Sequence, residues 1–138
     1  MNTAIDTSVL LAIFNGEPSA DEWLTALISA RSAGRLIICE VVYAELAPAF
    51  THAEILDEKL ALMGIEVVSI NKESAWGAGK AFQQYRKSGG PRAHLIPDFL
   101  IAAHAQNQAG QIAAVDRGYL RKWFPLLVLA VGSVAKSD

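Results

Sequence analysis

The chain has 138 residues, of which 52% are hydrophobic and 19% are charged, a composition that excludes intrinsic disorder. The length favours one domain built on one core. The net charge of −2 argues against a strongly basic nucleic-acid-binding domain. The single cysteine, Cys39, excludes an intrachain disulfide and a cysteine-based zinc site, and its apolar neighbours predict a packed core thiol.

The N-terminal residues do not have the pattern of a secretory signal, because Asp6 interrupts the apolar segment. The sequence shows no apolar run near the roughly 18 residues that a membrane span needs. We therefore expect a cytoplasmic protein with no membrane partner.

The first apolar run ends at Asp6, and a second run covers residues 9–14. Thr7 or Ser8 is predicted to cap a helix over that second run. The next segments alternate in the same way, with apolar residues at helical spacing or in short β-branched runs. We predict helices over 20–33 and 40–47, ending at Gly34 and Pro48, and a strand over 36–39 between them.

The second half of the chain continues the alternation of helices and strands. Pro97 and Gly110 are the start and stop signals of a helix. The other predicted helices cover 53–63, 72–87 and a short turn at 117–123, and the other predicted strands cover 65–70, 112–115 and 126–131.

Short, wholly apolar strands that alternate with helices are typical of an α/β fold with a parallel sheet covered on both faces. The pattern shows no linker and no internal repeat. We therefore expect a single domain over residues 1–134, followed by a frayed tail at 135–138.

Four acidic residues lie where a solvated charge is not expected. Asp6 and Asp116 come directly after predicted strands. Glu45 lies in an apolar helical segment, and Asp98 lies in the first turn of a helix. A helix cap or a surface charge is an adequate explanation for each acid alone. Because ligands of an open parallel sheet bind outside the carboxyl ends of its strands, we expect the four carboxylates to converge.

Four carboxylates in one cleft repel one another, and some would protonate unless divalent cations were bound. Sites made only of oxygen ligands suit Mg²⁺ or Mn²⁺. Such ions activate water and stabilise a departing oxygen in phosphodiester cleavage. The joint placement of the acids therefore favours a metal site.

Four segments resemble the motifs of the PIN-domain ribonucleases. Segment 6–11 resembles their opening motif, and segment 41–46 resembles their second acidic motif. Segment 96–105 is similar to the third motif of the VapC-type toxins and is the most specific of the four. Segment 116–119, followed by 124–125, resembles the last acidic motif. The resemblance covers nearly the whole chain, in order.

The resemblance implies a three-layer sandwich in which helices flank a five-stranded parallel sheet of order 3-2-1-4-5. It implies a Mg²⁺- or Mn²⁺-dependent endoribonuclease in which Asp6, Glu45, Asp98 and Asp116 are the catalytic, metal-binding quartet. It also implies the toxin of a type II toxin–antitoxin pair, with RNA as substrate, a VapB-type antitoxin as partner and a homodimer as assembly. One departure is Ala114, where the family often has Thr or Ser.

Two other functions stay open. A Mg²⁺-dependent phosphatase would use Asp6 as its nucleophile, although that family needs a second Asp where this chain has Ser8. A catalytically weak PIN scaffold is favoured only by Ala114.

Basic residues supply candidate RNA contacts. Thr7, Arg92 and Arg117 are candidate substrate-binding residues. Arg86 and Lys87 form, with Arg92, a basic loop that contacts RNA phosphates or is simply solvated. Arg117 contacts the phosphate or the antitoxin, or pairs with a nearby carboxylate.

The remaining candidates favour structural roles. His104 is predicted to be packed, and the spacing of His52, His94 and His104 does not suit a zinc site. The apolar stripe in 53–63 favours packing on the chain's own core over a dimer or antitoxin face. The tryptophans are interpreted as core or interface anchors: Trp23, Trp76 and Trp123.

Overall fold

The computed structural model describes residues 1–89, 96–116, 118–129 and 134–135. One parallel sheet has five strands in the order β3-β2-β1-β4-β6. Because β6 is the fifth strand of this sheet along the chain, the predicted order 3-2-1-4-5 is confirmed. These strands are β1 (Asn2–Ile5), β2 (Leu36–Ile38), β3 (Ile65–Val67), β4 (Gly110–Ala113) and β6 (Val128–Leu129). Two shorter strands, β5 (Val115–Asp116) and β7 (Val134–Ala135), pair with each other.

Helices connect the strands and flank the sheet, as predicted. Their order along the chain is α1 (Thr7–Phe14), α2 (Ala20–Ala33), α3 (Glu40–Leu46), α4 (Ala53–Leu62), α5 (Lys72–Lys87), α6 (Ile96–Gln108) and α7 (Leu120–Trp123). Among the described residues, none of these helices is both long and apolar enough to cross a lipid bilayer.

The central strand β1 lies between β2 and β4 and is buried almost completely. Its apolar side chains belong to one hydrophobic core, to which both the sheet and the helices contribute residues. The one buried polar side chain of β1 is Thr3, whose hydroxyl accepts a hydrogen bond from Gln111 Nε2 at 2.6 Å. Because a buried hydroxyl without a partner is costly, this bond stabilises the contact between β1 and β4.

Three local predictions need correction. Neither Thr7 nor Ser8 caps α1: the helix begins at Thr7, and both hydroxyls donate to carboxylates instead. Helix α3 ends before Pro48, as predicted, but at Leu46 and not at residue 47, because a short 3₁₀-helix begins there. Strand β3 is not buried on both faces, because it is an edge strand whose exposed Glu66 pairs with Arg35 at 2.6 Å.

The predicted start of the frayed tail, at residue 135, is one residue too early. Ala135 belongs to β7 and pairs in register with Asp116. Residues 136–138 lie outside the described residues. The helix stop at Gly34 is confirmed, and a Cβ at this glycine would overlap the Met1 carbonyl oxygen.

Helices α5 and α6 form an antiparallel pair, and side-chain contacts join them at both ends. At one end, Gln108 Oε1 accepts from the Ser74 hydroxyl at 2.8 Å and from the Asn71 amide at 3.0 Å. At the other end, the rings of Phe82 and Tyr85 pack edge-on against Phe99, with centroids 5.6 and 5.5 Å apart. The C-terminal end of α5 therefore lies beside the N-terminal turn of α6, which carries Asp98.

Candidate metal centre

Asp6 lies at the carboxyl end of the central strand and is only 8% exposed. Its backbone amide donates to the Ala113 carbonyl at 3.0 Å, which continues the pairing of β1 with β4. Although Asp6 precedes α1, its side chain makes no capping hydrogen bond. Its Oδ2 accepts from the Ser8 hydroxyl at 2.6 Å instead. A cap or a surface charge therefore does not explain this carboxylate.

Glu45 is brought next to this strand end by Thr7. The Thr7 hydroxyl donates to Glu45 Oε1 at 2.6 Å, across 38 residues of sequence, and Thr7 is 9% exposed. Helix α3 packs against α1, which makes this contact possible. Glu45 itself is exposed, so the expectation that its apolar neighbours bury it is wrong: the buried residues of α3 are Val42 and Leu46, on the side that faces the core.

Asp98 occupies the first turn of α6, as predicted, and is half-buried. Helix α6 packs against both β1 and α3, the elements next to Asp6 and Glu45. The next residue, Phe99, is fully buried and holds this turn of the helix against the core.

Asp116 is placed by its backbone alone, in β5, and its side chain lies outside the described part of the structure. Strand β4 ends at Ala113, which is in register with Ile5. The chain therefore reaches Asp116 three residues after the partner of Ile5, at the same edge of the sheet as Asp6. Arg92 and Arg117 lie outside the described residues.

The donor chemistry of the described carboxylates suits a hard cation. Their ligand atoms are all oxygens, and each of Asp6 and Glu45 has one oxygen held by a neighbouring hydroxyl. The one ion pair found among the described residues joins Arg35 to Glu66, so no described cation neutralises the buried Asp6. The described side chains by themselves contain no group of three or more metal-binding residues, and the Asp116 side chain is not among those searched.

Sequence reasoning missed the part that the hydroxyls play. Thr7 was predicted as a substrate contact, but its proton is used to hold Glu45. Ser8 was predicted as a cap, but it holds Asp6. The signal was present in the sequence, because two adjacent hydroxyl residues directly follow an acid at a strand end. Ala114 is fully buried, and its methyl side chain supplies no hydroxyl at this position.

His104 is a packed residue, as predicted, and not a ligand of this centre. It is 1% exposed, and its Nε2 lies 2.8 Å from the Val68 carbonyl oxygen. Since a carbonyl only accepts, Nε2 carries the proton and donates. Burial is the main cause that lowers the pKa of His104. Cys39 is buried as well, and burial raises the pKa of its thiol, as expected for a core residue.

The lowered pKa of His104 predicts a pH-dependent stability. Below the unfolded-state pKa of about 6.5, the unfolded chain binds a proton that the buried neutral imidazole does not. This contribution is therefore present above pH ~6.5 and is lost as the pH falls towards the lower native pKa. We expect His104→Gln to flatten the fall in the free energy of unfolding between neutral and mildly acidic pH, measured by urea denaturation. The exposed His52, changed to Gln, is the control that should leave the slope unchanged.

A family model decides the classification. The PIN-domain model matches residues 3–123, which is most of the chain. The chain belongs to the PIN-domain family. No curated protein sequence matches this PIN domain significantly.

Solved structures share the fold of this PIN domain. A chain of VapBC2 from Rickettsia felis, solved with a DNA fragment from their promoter, is 21% identical with a TM-score of 0.69, over 94% of this chain and 97% of that one. A chain of VapBC-1 from nontypeable Haemophilus influenzae is 20% identical with a TM-score of 0.68, over 96% and 98%. A chain of FitAcB from Neisseria gonorrhoeae is 17% identical with a TM-score of 0.67, over 94% and 97%.

Proposed function

We propose that this PIN domain is a Mg²⁺- or Mn²⁺-dependent endoribonuclease and the toxin of a type II toxin–antitoxin pair. The observation that carries the proposal is the pair of carboxylates at the end of the central strand. Asp6 is buried without a described cationic partner, and Glu45 is tied to the adjacent Thr7. A buried carboxylate that is not neutralised is costly unless a cation is bound.

The residues at this site would have two roles, to hold the ion and to orient its ligands. Asp6, Glu45, Asp98 and Asp116 would hold the ion, and Ser8 and Thr7 would orient the first two of them. A bound Mg²⁺ or Mn²⁺ would supply charge stabilisation and a more acidic water at the scissile phosphate. It would also convert a negative patch into one that attracts phosphate.

Cleavage of RNA by the purified chain tests this function. We expect cleavage of single-stranded RNA with Mn²⁺ or Mg²⁺, no cleavage in EDTA, and a loss on the order of 10²-fold or more for Asp98→Asn. Asp21→Asn is the matched control, because Asp21 is also an acid in the first turn of a helix, α2. Equal cleavage by Asp98→Asn and wild type would overturn the role of Asp98.

The phosphatase alternative has its own signature. An aspartyl nucleophile at Asp6 would leave a phosphoryl group on that carboxylate, detectable by mass spectrometry after reaction with a phosphate monoester. We expect no such adduct, because Ser8 occupies the position where that mechanism needs a second acid and donates to Asp6 Oδ2 at 2.6 Å.

A partner surface follows from two exposed apolar side chains. Ile28 on α2 is 71% exposed and Leu62 on α4 is 87% exposed. They flank a cleft of about 350 Å³ between these helices, which Arg31 also lines. Exposed apolar clefts of this kind mark protein interaction sites. The structural relatives described above were solved as VapBC and FitAcB complexes. We propose that a VapB-type antitoxin docks here, in the cytoplasm, on a homodimeric toxin.

We expect Ile28→Asp and Leu62→Asp each to weaken antitoxin binding by about 2 kcal/mol, since each places a charge in an apolar contact. The measurement is calorimetric titration of each variant with the proposed VapB-type antitoxin. Leu126→Asp is the control, because Leu126 is 81% exposed but does not line this cleft. Unchanged binding by both cleft variants would place the antitoxin elsewhere.

A further inference from the structure

The outer face of α5 carries an aromatic and basic row that the acidic centre does not use. Trp76, Lys80, Gln83 and Lys87 are all exposed and follow one another at intervals of four, three and four residues. This spacing places them on one face of the helix. The buried Ser74 and Ala78 mark the opposite face, which packs on α6. We call these four residues the α5 stripe.

Of the two interpretations of Trp76, as a core or an interface anchor, the structure excludes the core. Its side chain is 69% exposed, which is unusual for the largest apolar side chain. The ammonium of Lys80 lies 5.1 Å from the centroid of the Trp76 ring. Exposed tryptophan beside a cation is the combination that stacks a nucleobase and neutralises its phosphate.

The α5 stripe faces open space. The described residues beside this space of about 820 Å³ all belong to α5, and they include all four residues of the stripe. Gly79 forms part of this lining, and a Cβ there would meet no atom within 4 Å. The missing side chain leaves space beside the Trp76 ring, which suits a planar ligand.

The charge of α5 suits a polyanion. The helix carries four cationic side chains and one acidic one, Glu73, in a chain whose net charge is −2. The rest of the chain is therefore more acidic than the whole, and α5 is a basic segment within it. Two copies of this face would repel each other, which argues against a symmetric dimer through the α5 stripe.

The position of the α5 stripe connects it to the acidic centre. Tyr85, two residues before Lys87, packs on Phe99, the residue after Asp98, with ring centroids 5.5 Å apart. The basic end of the stripe therefore lies at the Asp98 end of α6. From there the stripe extends along eleven residues of α5 to Trp76, or ~16 Å at the helical rise.

We propose that the α5 stripe binds single-stranded RNA and leads the strand towards Asp98. The proposal rests on the proposed ribonuclease function. A base stacks on Trp76, and Lys80 and Lys87 contact phosphates between that base and the acidic end. Gln83 supplies a polar contact between the two lysines. These contacts also set the distance along the RNA between the cleaved bond and the nucleotides that the stripe binds.

Binding without cleavage tests the α5 stripe separately from catalysis. The full chain with Asp98→Asn is titrated in EDTA against a fluorescent single-stranded RNA oligonucleotide, and anisotropy gives the Kd. Adding Trp76→Ala is expected to raise Kd roughly tenfold. Adding Lys80→Gln or Lys87→Gln is expected to lower the slope of log K against log salt by about 0.7 for each lysine. Lys59→Gln on α4 is the matched control, because Lys59 is exposed and lies off the stripe.

Two results would overturn the proposal. One is RNA binding by the Trp76, Lys80 and Lys87 variants that equals binding by the Lys59 control. The other is full displacement of the RNA by polyglutamate at equal charge concentration, which would assign the stripe to an acidic protein segment. Wild-type cleavage of the same RNA in Mn²⁺ is measured in parallel. Cleavage with unchanged binding refutes the stripe alone, whereas no cleavage refutes the proposed function.

Discussion

Replacing Asp6 by asparagine is expected to reduce metal-dependent RNA cleavage by a factor on the order of 10² to 10³. The substitution keeps the shape of the side chain and an oxygen that can accept from Ser8. It removes the negative charge, which is the property that a divalent cation requires. The effect should therefore be on ion binding and rate, while the fold is retained.

Thermal denaturation separates the two effects. Mn²⁺ should raise the Tm of the wild-type chain, because a ligand that binds only the native state stabilises it. The Mn²⁺-dependent rise should disappear in Asp6→Asn, while the Tm in EDTA should stay the same or increase, since the variant lacks a buried charge that has no cationic partner among the described residues. Asp21→Asn, on the exposed face of α2, should keep both the rise and the activity. An Mn²⁺-dependent rise that persists in Asp6→Asn would refute the metal assignment.

Truncating Phe99 to alanine is expected to cost about 3–5 kcal/mol of the free energy of unfolding. Phe99 is fully buried at the centre of an aromatic cluster. Its ring centroid lies 5.4 Å from Phe124 and 5.9 Å from Tyr119, in addition to Phe82 and Tyr85 on α5. The cavity would remove contacts with four rings at once, a large loss for a domain whose total stability is typically about 5–15 kcal/mol.

The matched control for Phe99→Ala is Trp76→Ala. Both substitutions remove a large aromatic side chain, but Trp76 is 69% exposed. We expect this change to alter the free energy of unfolding by no more than about 0.5 kcal/mol in urea titrations. Equal losses from the two variants would mean that the aromatic cluster does not pack as described. Phe99→Ala should also reduce cleavage under conditions where the chain is still folded, because Phe99 holds the turn that carries Asp98.

The sheet order is implied by the resemblance to the PIN-domain ribonucleases and not by local patterns. The positions of the helices, by contrast, could be predicted from the sequence because they depend on local patterns. Helix α5, for example, has the bounds that its amphipathic spacing predicted. The exposed side of β3 could not be predicted from its own residues. Its exposure follows from its place at the edge of the sheet, which is decided by the pairing of β2 with β1.

In the candidate centre, too, the features that depend on neighbouring residues could be predicted, and the contacts between distant residues could not. The position of Asp6 at a strand end is a local property and was predicted. The bond between Thr7 and Glu45 joins residues 38 positions apart and depends on how α1 packs on α3, which no spacing encodes. Trp76 is predicted as a core or an interface anchor, and its exposure excludes the core because the helix turns it away from α6.

The pairing of β1 with β4 has a consequence for synthesis on the ribosome. Asn2 is in register with Gly110, so the strand that presents Asp6 receives this neighbour only after most of the chain has been made. A nascent fragment that ends before β4 therefore lacks the strand on one side of β1, and the entropy cost of closing so long a loop is met only late. Under the proposed function, a chain assembled in this order would be inactive until β4 has been made.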